Sequence, residues 1–497
     1  MADKSSESKQ ERDGSQQLEL SNDKLRELIR MLELQSRGPE QSKLEREEEE
    51  ERKKVHEFWN TQPVPKSAEV VSKDGEMHAA LKPSEIRAEP YELSEELEWC
   101  TLDVASSSVH VQELHDLLLE HYVEDADSSF RFNYSAEFLR WALLPPGAQS
   151  EWHVGVRRKS DQVLVAFISG IPVDMMVRDR TMRMAEINFL CLHKGLRSQR
   201  LAPLLIKEVT RRVHLVGIFQ AVYTVGRLLP KPVATCRYFH RPLNPRKLMD
   251  TGFSQRLEGA ALSRLLSSLK LPAAPQINGL REMRKGDVAQ VRKLMNRHLK
   301  SRYEILPVFS TDAEVAHWLL PRAGVVWTYV VEDAQRPGRV TDFVSFYSLP
   351  SSVLKAGAAS GRSGKGVRKP PGVATNAQYT AVNAAYLFYY GTQTDYDVQL
   401  TEEEKATVGA TKKQEKALIK EKQRELLGAR LRELVGDALI MAARQGSFDV
   451  FNCLEMMDNG LFLDALNFGP GDGYLRYYFF NYMARHVDSN KVGFVML

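Results

Sequence analysis

Two stretches of this chain, residues 135–147 (SAEFLRWALLPPG) and residues 312–324 (DAEVAHWLLPRAG), carry the same pattern 177 positions apart. Ala136 and Glu137 stand against Ala313 and Glu314, Trp141 against Trp318, and Gly147 against Gly324. The surroundings repeat as well. Each stretch follows an amphipathic helical pattern, VQELHDLLLEHYV or VAQVRKLMNRHLK. Each precedes a strand pattern (HVGVRR; VVWTYVVED), a turn, and a second strand pattern ending in proline (LVAFISGIP; DFVSFYSLP). Chance gives one matched block, but not easily the same order of elements around it. The chain is therefore expected to fold as two similar α/β units of roughly 200 residues each. The Pro-rich KLPAAPQING, around Leu271 to Gly279, joins them. The expected division is a tail at 1–54, a first unit at 55–272 and a second at 273–497.

Composition supports a sizeable core, with 497 residues of which 43% are hydrophobic. With 68 Lys and Arg against 65 Asp and Glu, no global charge argues for nucleic acid. Cys100, Cys191, Cys236 and Cys453 form no CxxC pair, so neither a zinc site nor a disulfide framework is expected and a reducing, cytoplasmic setting fits. The polar start MADKSSESKQERDGSQQ is no signal peptide, and no apolar run reaches the length of a membrane span. Residues 1–17 read as disordered. Leu25, Leu28, Ile29 and Leu32 then follow the spacing of a short amphipathic helix, before a charged run at 45–54. That segment reads as a solvated tail or as a docking helix for a ribosome or other large assembly, and the sequence leaves both open.

The chemistry is concentrated at residues 186–203, EINFLCLHKGLRSQRLAP. A buried-strand pattern gives way to a basic turn and then to a helix whose Leu201, Leu204, Leu205 and Val209 share a face. Pro203 falls in the first turn, where a helix tolerates it. Arg197, Ser198 and Arg200 cluster at the positive end of that helix, beside free backbone N–H groups, which makes a cradle for phosphate. No Walker A sequence is present, because GRSGKG at 361–366 fails at Ala359 and Gly366. Such a cradle suits a pyrophosphate-bearing molecule such as coenzyme A. In the second unit the matching strand, AAYLFYYG at 384–391, leads instead into a charged segment before LRELVGDALIMAARQG. One unit is then expected to hold the acyl carrier while the other shapes the acceptor site.

EINFLCLHKGLRSQRLAP and NFGPGDGYLRYYFFN (467–481) closely resemble the two signature segments of the eukaryotic glycylpeptide N-tetradecanoyltransferases, the N-myristoyltransferases. FWNTQPVPK (58–66), HYVEDADSSFRFNYS (121–135) and QAVYTVGRLLPKPVATCRYFHRPLNPRK (220–247) look like other blocks of that family, so the resemblance runs from about residue 55 to the end. It implies an α/β (α+β) fold of two tandem acetyltransferase-like, GNAT-type units with pseudo-twofold symmetry in one compact catalytic body. It also implies transfer of myristate from myristoyl-CoA, a co-substrate, to the amino group of an N-terminal glycine, with no metal, no nucleic acid and a monomeric enzyme.

Residue by residue, the resemblance assigns the backbone amides of Phe189 and Leu190 to the oxyanion of acyl transfer, which needs preorganised donors. It matches Arg197, Ser198, Gln199, Arg200, Leu201 and Ala202 to the CoA phosphate loop. Cys191 and Leu192 continue that site, with Phe58 and Trp59 in a segment lying along the acyl carrier. For the base, no His/Asp or His/Ser arrangement stands out, and the family uses the terminal carboxylate. KVGFVML is an apolar, strand-like ending that suggests a tethered terminus. Burial raises the proton affinity of a carboxylate and makes it a better base. Leu497 is thus the expected base, with Asn188 and Thr224 holding the amine.

For the peptide groove the matches are Tyr122, Val123, Asp125, Phe130, Phe132, Tyr134, Gly226, Tyr238, His240, Ser345, Tyr347, Tyr386, Asn452, Leu454, Asp472 and Gly473. Glu124, Asp125 and Asp127 are expected to meet a substrate lysine. Cys191 reads as a small buried hydrophobe, not a nucleophile. Two segments, near 355–376 and 398–430, look longer than the family carries and read as surface insertions, and Phe239 stands where the family favours Trp. A short-chain acetyltransferase would use the same cradle, and a non-catalytic scaffold would release no CoA.

Overall fold

The computed structural model describes residues 49–50, 53–54, 56–125, 128–354, 379–401 and 411–497. The expected tail helix around Leu25, the Gly-rich stretch at 355–376 and Asp127 lie outside them.

Twelve strands build one continuous sheet: β1 (Leu97–Thr101), β2 (His153–Arg158), β3 (Leu164–Val177), β4 (Arg180–Leu192), β5 (Ala221–Val225), β6 (Ala234–Pro242), β7 (Leu280–Glu282), β8 (Val326–Glu332), β9 (Val340–Ser348), β10 (Ala384–Thr392), β11 (Val450–Leu454) and β12 (Gly469–Phe480). A thirteenth, Ile305–Pro307, pairs with the outer end of β3. The spatial order is β1-β2-β3-β4-β5-β12-β6-β11-β10-β9-β8-β7.

This order reads alike from either end. From each edge come three antiparallel pairings, one parallel pairing (β4 with β5; β10 with β11), then antiparallel pairings to the centre. The two halves exchange one strand each: β12 lies against β5, and β6 lies against β11. The tandem arrangement expected from the echo is present, but residue 272 divides the chain only in sequence, because each half completes the other's sheet.

The echoed blocks meet near the pseudo-twofold. They form the short helices α2 (Ala136–Leu143) and α5 (Asp312–Leu319), after α1 (Ser108–His121), α3 (Leu201–His214) and α4 (Val288–Arg302) in their respective layers. Trp141 Nε1 donates to the His317 carbonyl at 3.0 Å, and His317 Nε2 donates back to the Trp141 carbonyl at 2.7 Å. The Trp141 and Trp318 rings sit edge to face at 5.3 Å. Trp141 is fully buried while Trp318 is only half-buried.

In the first half β3 is buried on both faces, which explains its unbroken apolar run. Val165 and Ile168 meet Leu201, Leu205 and Val209 of α3 on one side; Leu164 and Phe167 face the layer of α1 and α2 on the other.

Two further expectations are corrected. The charged segment near 398–430 is not a loop throughout: from Lys412 it is the start of a 33-residue helix, α6 (Lys412–Arg444). Its Lys, Glu, Gln, Leu and Ala are strong helix formers, and Thr411 with Gln414 closes a capping box at its start. Residues 402–410 lie outside the described residues. Val492 to Met496 are buried and Leu497 is half-buried, but the ending is not a strand; its one ladder contact is a bridge from Val492 to Ile305. Packing and a few separate hydrogen bonds, rather than sheet pairing, hold it.

Candidate active site

The site begins at a break in β4. Phe167 of β3 pairs with Cys191, yet Ser169 pairs with Asn188, so Phe189 and Leu190 together oppose one residue. Phe189 takes φ +57, a conformation costly for a bulky side chain. Its ring is buried against Tyr134 at 5.1 Å and Tyr122 at 6.2 Å, contacts that hold the kink in place. The bulge takes Phe189 and Leu190 out of the regular ladder. Burial pushes the Tyr122 phenol up, and the opposing influence is the Phe189 amide, which places that N–H next to an oxygen acceptor.

Beyond the bulge β4 leaves β5. Their parallel ladder ends at Ile187 and Tyr223, although both strands run on. A cleft of about 850 Å³ opens there, bounded by Leu190, Cys191 and Leu192 on one side and by Val225, Gly226 and Arg227 on the other. Its other walls include His121, Tyr122, Val123, Glu124, Arg197, Ala202, Asp472 and Gly473.

At its end stands the amino terminus of α3. Arg200, with φ +55, is the N-cap and makes no side-chain cap bond, so the first-turn amides of Leu201 and Ala202 are available for a phosphate group. Ser198, Gln199 and Arg200 are exposed in the turn. Arg197 is also exposed, and its guanidinium donates to the His121 carbonyl at 2.5 Å. Arg200 reaches Glu57 at 3.3 Å, beside Phe58 and Trp59. Trp59 stacks on Tyr223 at 5.8 Å, which seats the amino-terminal segment beside the open end of β5.

The carboxyl end of the chain arrives on the sheet from the other half. Tyr477 Oη donates to the Phe494 carbonyl at 2.8 Å, the Val495 amide donates to Tyr389 Oη at 3.1 Å, and the Gly493 amide donates to the Ile305 carbonyl at 2.7 Å. Leu497 then enters a cavity of about 40 Å³ with Glu186, Phe388, Tyr389 and Phe494 in its lining. Asn188 lies two residues after Glu186, on the same face of β4. Thr224 follows Tyr223 on β5, just past the end of the β4/β5 ladder, and pairs with Tyr477 of β12.

Gly493 is fixed by close approach: a Cβ there would fall 2.5 Å from Tyr303 Cδ2. Gly493→Ala is expected to cost about 1–3 kcal/mol of stability through overpacking and to lower turnover at least about tenfold by shifting the terminus. Thermal melts and acyl-transfer rates on the same preparation check both.

The aromatics assigned to the groove lie close together. Tyr347 stacks on Tyr386 at 5.4 Å, and Tyr134 touches Tyr122 and Phe132 at 5.8 and 5.9 Å. His240 Nδ1 donates to Asn452 Oδ1 at 2.7 Å, while Phe253 packs between His240 and Phe130. Burial lowers the proton affinity of His240. Tyr238 and Leu454 pair across β6 and β11. The ladder between β12 and β6 breaks between Pro470 and Tyr474, releasing Asp472 and Gly473 into the cleft.

Several expected roles are not met. Glu124 is held by Lys194 at 2.6 Å and Arg131 at 2.5 Å, which pull its carboxyl down to about 2. Those two cations consume the charge meant for a substrate lysine. Asp125 accepts from the Ser129 and Phe130 amides at 2.6 and 2.8 Å and serves its own loop. Ser345 is fully buried, donating to the Trp327 carbonyl at 3.1 Å and accepting from Thr328 at 2.8 Å, so its hydroxyl faces the β8 side. Burial pushes the Cys191 thiol up to about 12, as suits a core residue. Glu186, Tyr389, Tyr477 and Gly493 were missed. A carboxylate opening an otherwise apolar strand was the available signal for the first; nothing local marks the others.

The geometry agrees with what comparison with known proteins finds. A family model described as the N-terminal domain of myristoyl-CoA:protein N-myristoyltransferase matches residues 76–236, and the model of its C-terminal domain matches residues 250–360 and 369–495. Glycylpeptide N-tetradecanoyltransferase 2 of Bos taurus is 42% identical over 476 residues, 95% of this chain and 82% of that protein. Glycylpeptide N-tetradecanoyltransferase of Eremothecium gossypii is 42% identical over 469 residues, 93% of each. A crystal structure of Saccharomyces cerevisiae N-myristoyltransferase with bound myristoyl-CoA aligns at a TM-score of 0.77 and 40% identity, covering 89% of this chain and all of that one. The cleft between β4 and β5, the bulge beside it and the buried terminus thus belong to a chain of the myristoyl-CoA:protein N-myristoyltransferase family.

Proposed function

We propose that this chain is an N-acyltransferase that moves myristate from myristoyl-CoA to the α-amino group of an N-terminal glycine in protein substrates. The observation that carries the reading is the convergence of a bulge at Phe189 and Leu190, a splayed strand pair, and a chain terminus that shares a cavity with Glu186. The first-turn amides of α3, with Arg197 and Arg200, bind the diphosphate of coenzyme A. Phe58 and Trp59 flank it. The thioester carbonyl then lies at the bulge.

A glycine α-ammonium, with an ordinary pKa of about 8, must lose a proton before attack. The Leu497 carboxylate takes that proton, and Asn188 and Thr224 hold the nitrogen. Attack forms the C–N bond, and the amides of Phe189 and Leu190 meet the negative charge that develops on oxygen. Collapse breaks the C–S bond, the nitrogen gives up a second proton, and the thiolate takes one. One proton leaves to solvent. The aromatic groove of Tyr122, Tyr134, Tyr238, Tyr347 and Tyr386 receives the peptide after its glycine, with Asp472 as the acidic group on the cleft wall.

Free cysteines, three of them buried, suit a reducing cytoplasm, and a sheet completed within one chain suits a monomer. Among the described residues no helix is long and apolar enough to cross a membrane.

The test is transfer from acetyl-, lauroyl- and myristoyl-CoA to a Gly-initiated peptide. With about 0.8 kcal/mol per buried CH₂, two fewer methylenes should weaken transfer by roughly tenfold or more, and acetyl transfer should be negligible. Equal use of acetyl-CoA would mark a short-chain enzyme. No release of CoA with any peptide would mark a non-catalytic binder.

A further inference from the structure

Glu186 is a carboxylate inside the core. It is 6% exposed, mid-strand in β4, with Ile171 of β3 and Val222 of β5 as its ladder neighbours. Nothing about the fold requires a charge there, and among the described residues no cation is bonded to it. Its side-chain partner is Asn188, whose Nδ2 donates to Glu186 Oε1 at 2.8 Å. It also faces the small cavity that receives Leu497.

We propose that Glu186 is a positioning residue for the acyl transfer, orienting the Asn188 amide towards the incoming amine and placing a second negative charge in the cavity that Leu497 also lines. The inference rests on the proposed function. An ionised carboxylate only accepts hydrogen bonds. Asn188 must therefore turn its NH₂ to Glu186, and its carbonyl oxygen is left for an N–H of the substrate amine. The second effect is electrostatic: a like charge in a shared, water-poor cavity favours protonation of its neighbour. Leu497 thereby becomes a stronger base. A cavity of about 40 Å³ is small enough that few waters screen the two groups.

The other titratable groups in that lining are Asp174, Glu314 and Tyr389. Asp174 is paired with Arg183 at 2.9 Å, and Glu314 accepts from the Thr311 amide at 2.7 Å at the start of α5. Burial pushes the Tyr389 phenol up, and the charge of Glu186 adds to that push. None of the three replaces Glu186 as a partner for Asn188.

Burial raises Glu186 itself to about 7. The sign for stability follows. A carboxyl raised above its unfolded value of about 4.3 favours the fold while protonated, and that contribution fades as the pH climbs from about 4.3 through about 7. Above that range the ionised group opposes folding.

Glu186→Gln in the full chain is the test, assayed with myristoyl-CoA and a Gly-initiated peptide. The expected result is a fall in kcat of about ten- to a hundredfold, an unchanged Kd for myristoyl-CoA, and an acid limb of kcat displaced to lower pH. At pH 8 the variant should melt at or above the parent temperature. In an Asn188→Ala background the same substitution should cost markedly less, because the two act together. Unchanged kcat and an unmoved acid limb would overturn the proposal. So would a loss of kcat that tracks a lower melting temperature with the limb unmoved. If the parent chain itself transfers no myristate, it is the proposed function that fails.

Discussion

Three alanines appended after Leu497 should lower turnover by about 10²- to 10⁴-fold, the range expected when a positioned base is removed. The extension converts the terminal carboxylate into a peptide bond and pushes chain into a cavity of about 40 Å³. The parts proposed to grip coenzyme A are elsewhere, at the start of α3 and along the open edge of β4. Myristoyl-CoA binding, measured by calorimetry, should therefore change less than about threefold. The anchors from Tyr477 and Tyr389 act on Phe494 and Val495, upstream of the added residues, so the fold should persist.

Leu190 gives the second large effect. Its side chain is 36% exposed at the cleft, and its proposed role uses only the backbone. Leu190→Val should leave kcat within about threefold, whereas Leu190→Pro deletes an oxyanion donor and should cost about 10²- to 10³-fold. Because Leu190 already lies in the bulge, outside regular pairing, the proline should remove less of the ladder than it would one strand over. Single-turnover rates at saturating myristoyl-CoA, with thermal melts alongside, separate the chemical loss from any loss of folding. Equal rates for the valine and proline variants would remove the amide from the mechanism.

Much of this was legible in the sequence because it is written locally. A repeated Trp block with repeated surroundings is a statement about two units, and a basic turn running into Pro203 is a statement about a helix start. The structure keeps both, down to the reciprocal bonds between Trp141 and His317. What could not be read was assembled across distance. The exchange of β6 and β12 depends on pairings over 200 residues apart, such as Gly469 with His240. Glu124 looked like a free acid because Lys194, which neutralises it, is 70 residues away. Ser345 looked like a groove hydroxyl because sequence does not say which neighbouring strand it will bond.

The terminus shows both sides. Its apolar composition announced burial correctly, but burial was mistaken for strand pairing, since Val, Phe and Leu serve either end. Its anchors, Tyr389, Tyr477 and Tyr303, come from three separate elements and carry no mark of that use.

One atom decides whether the buried end of the chain is the base. Semisynthesis can join a short peptide ending in a Leu497 carboxamide to the rest of the chain, changing a terminal oxygen to nitrogen and nothing else in the sequence. Single-turnover transfer to a Gly-initiated peptide should then fall by two orders of magnitude or more relative to the identically ligated carboxylate, with myristoyl-CoA affinity and melting temperature preserved. A carboxamide chain that turns over at the rate of the carboxylate would contradict it, and the proton would have to leave by another group.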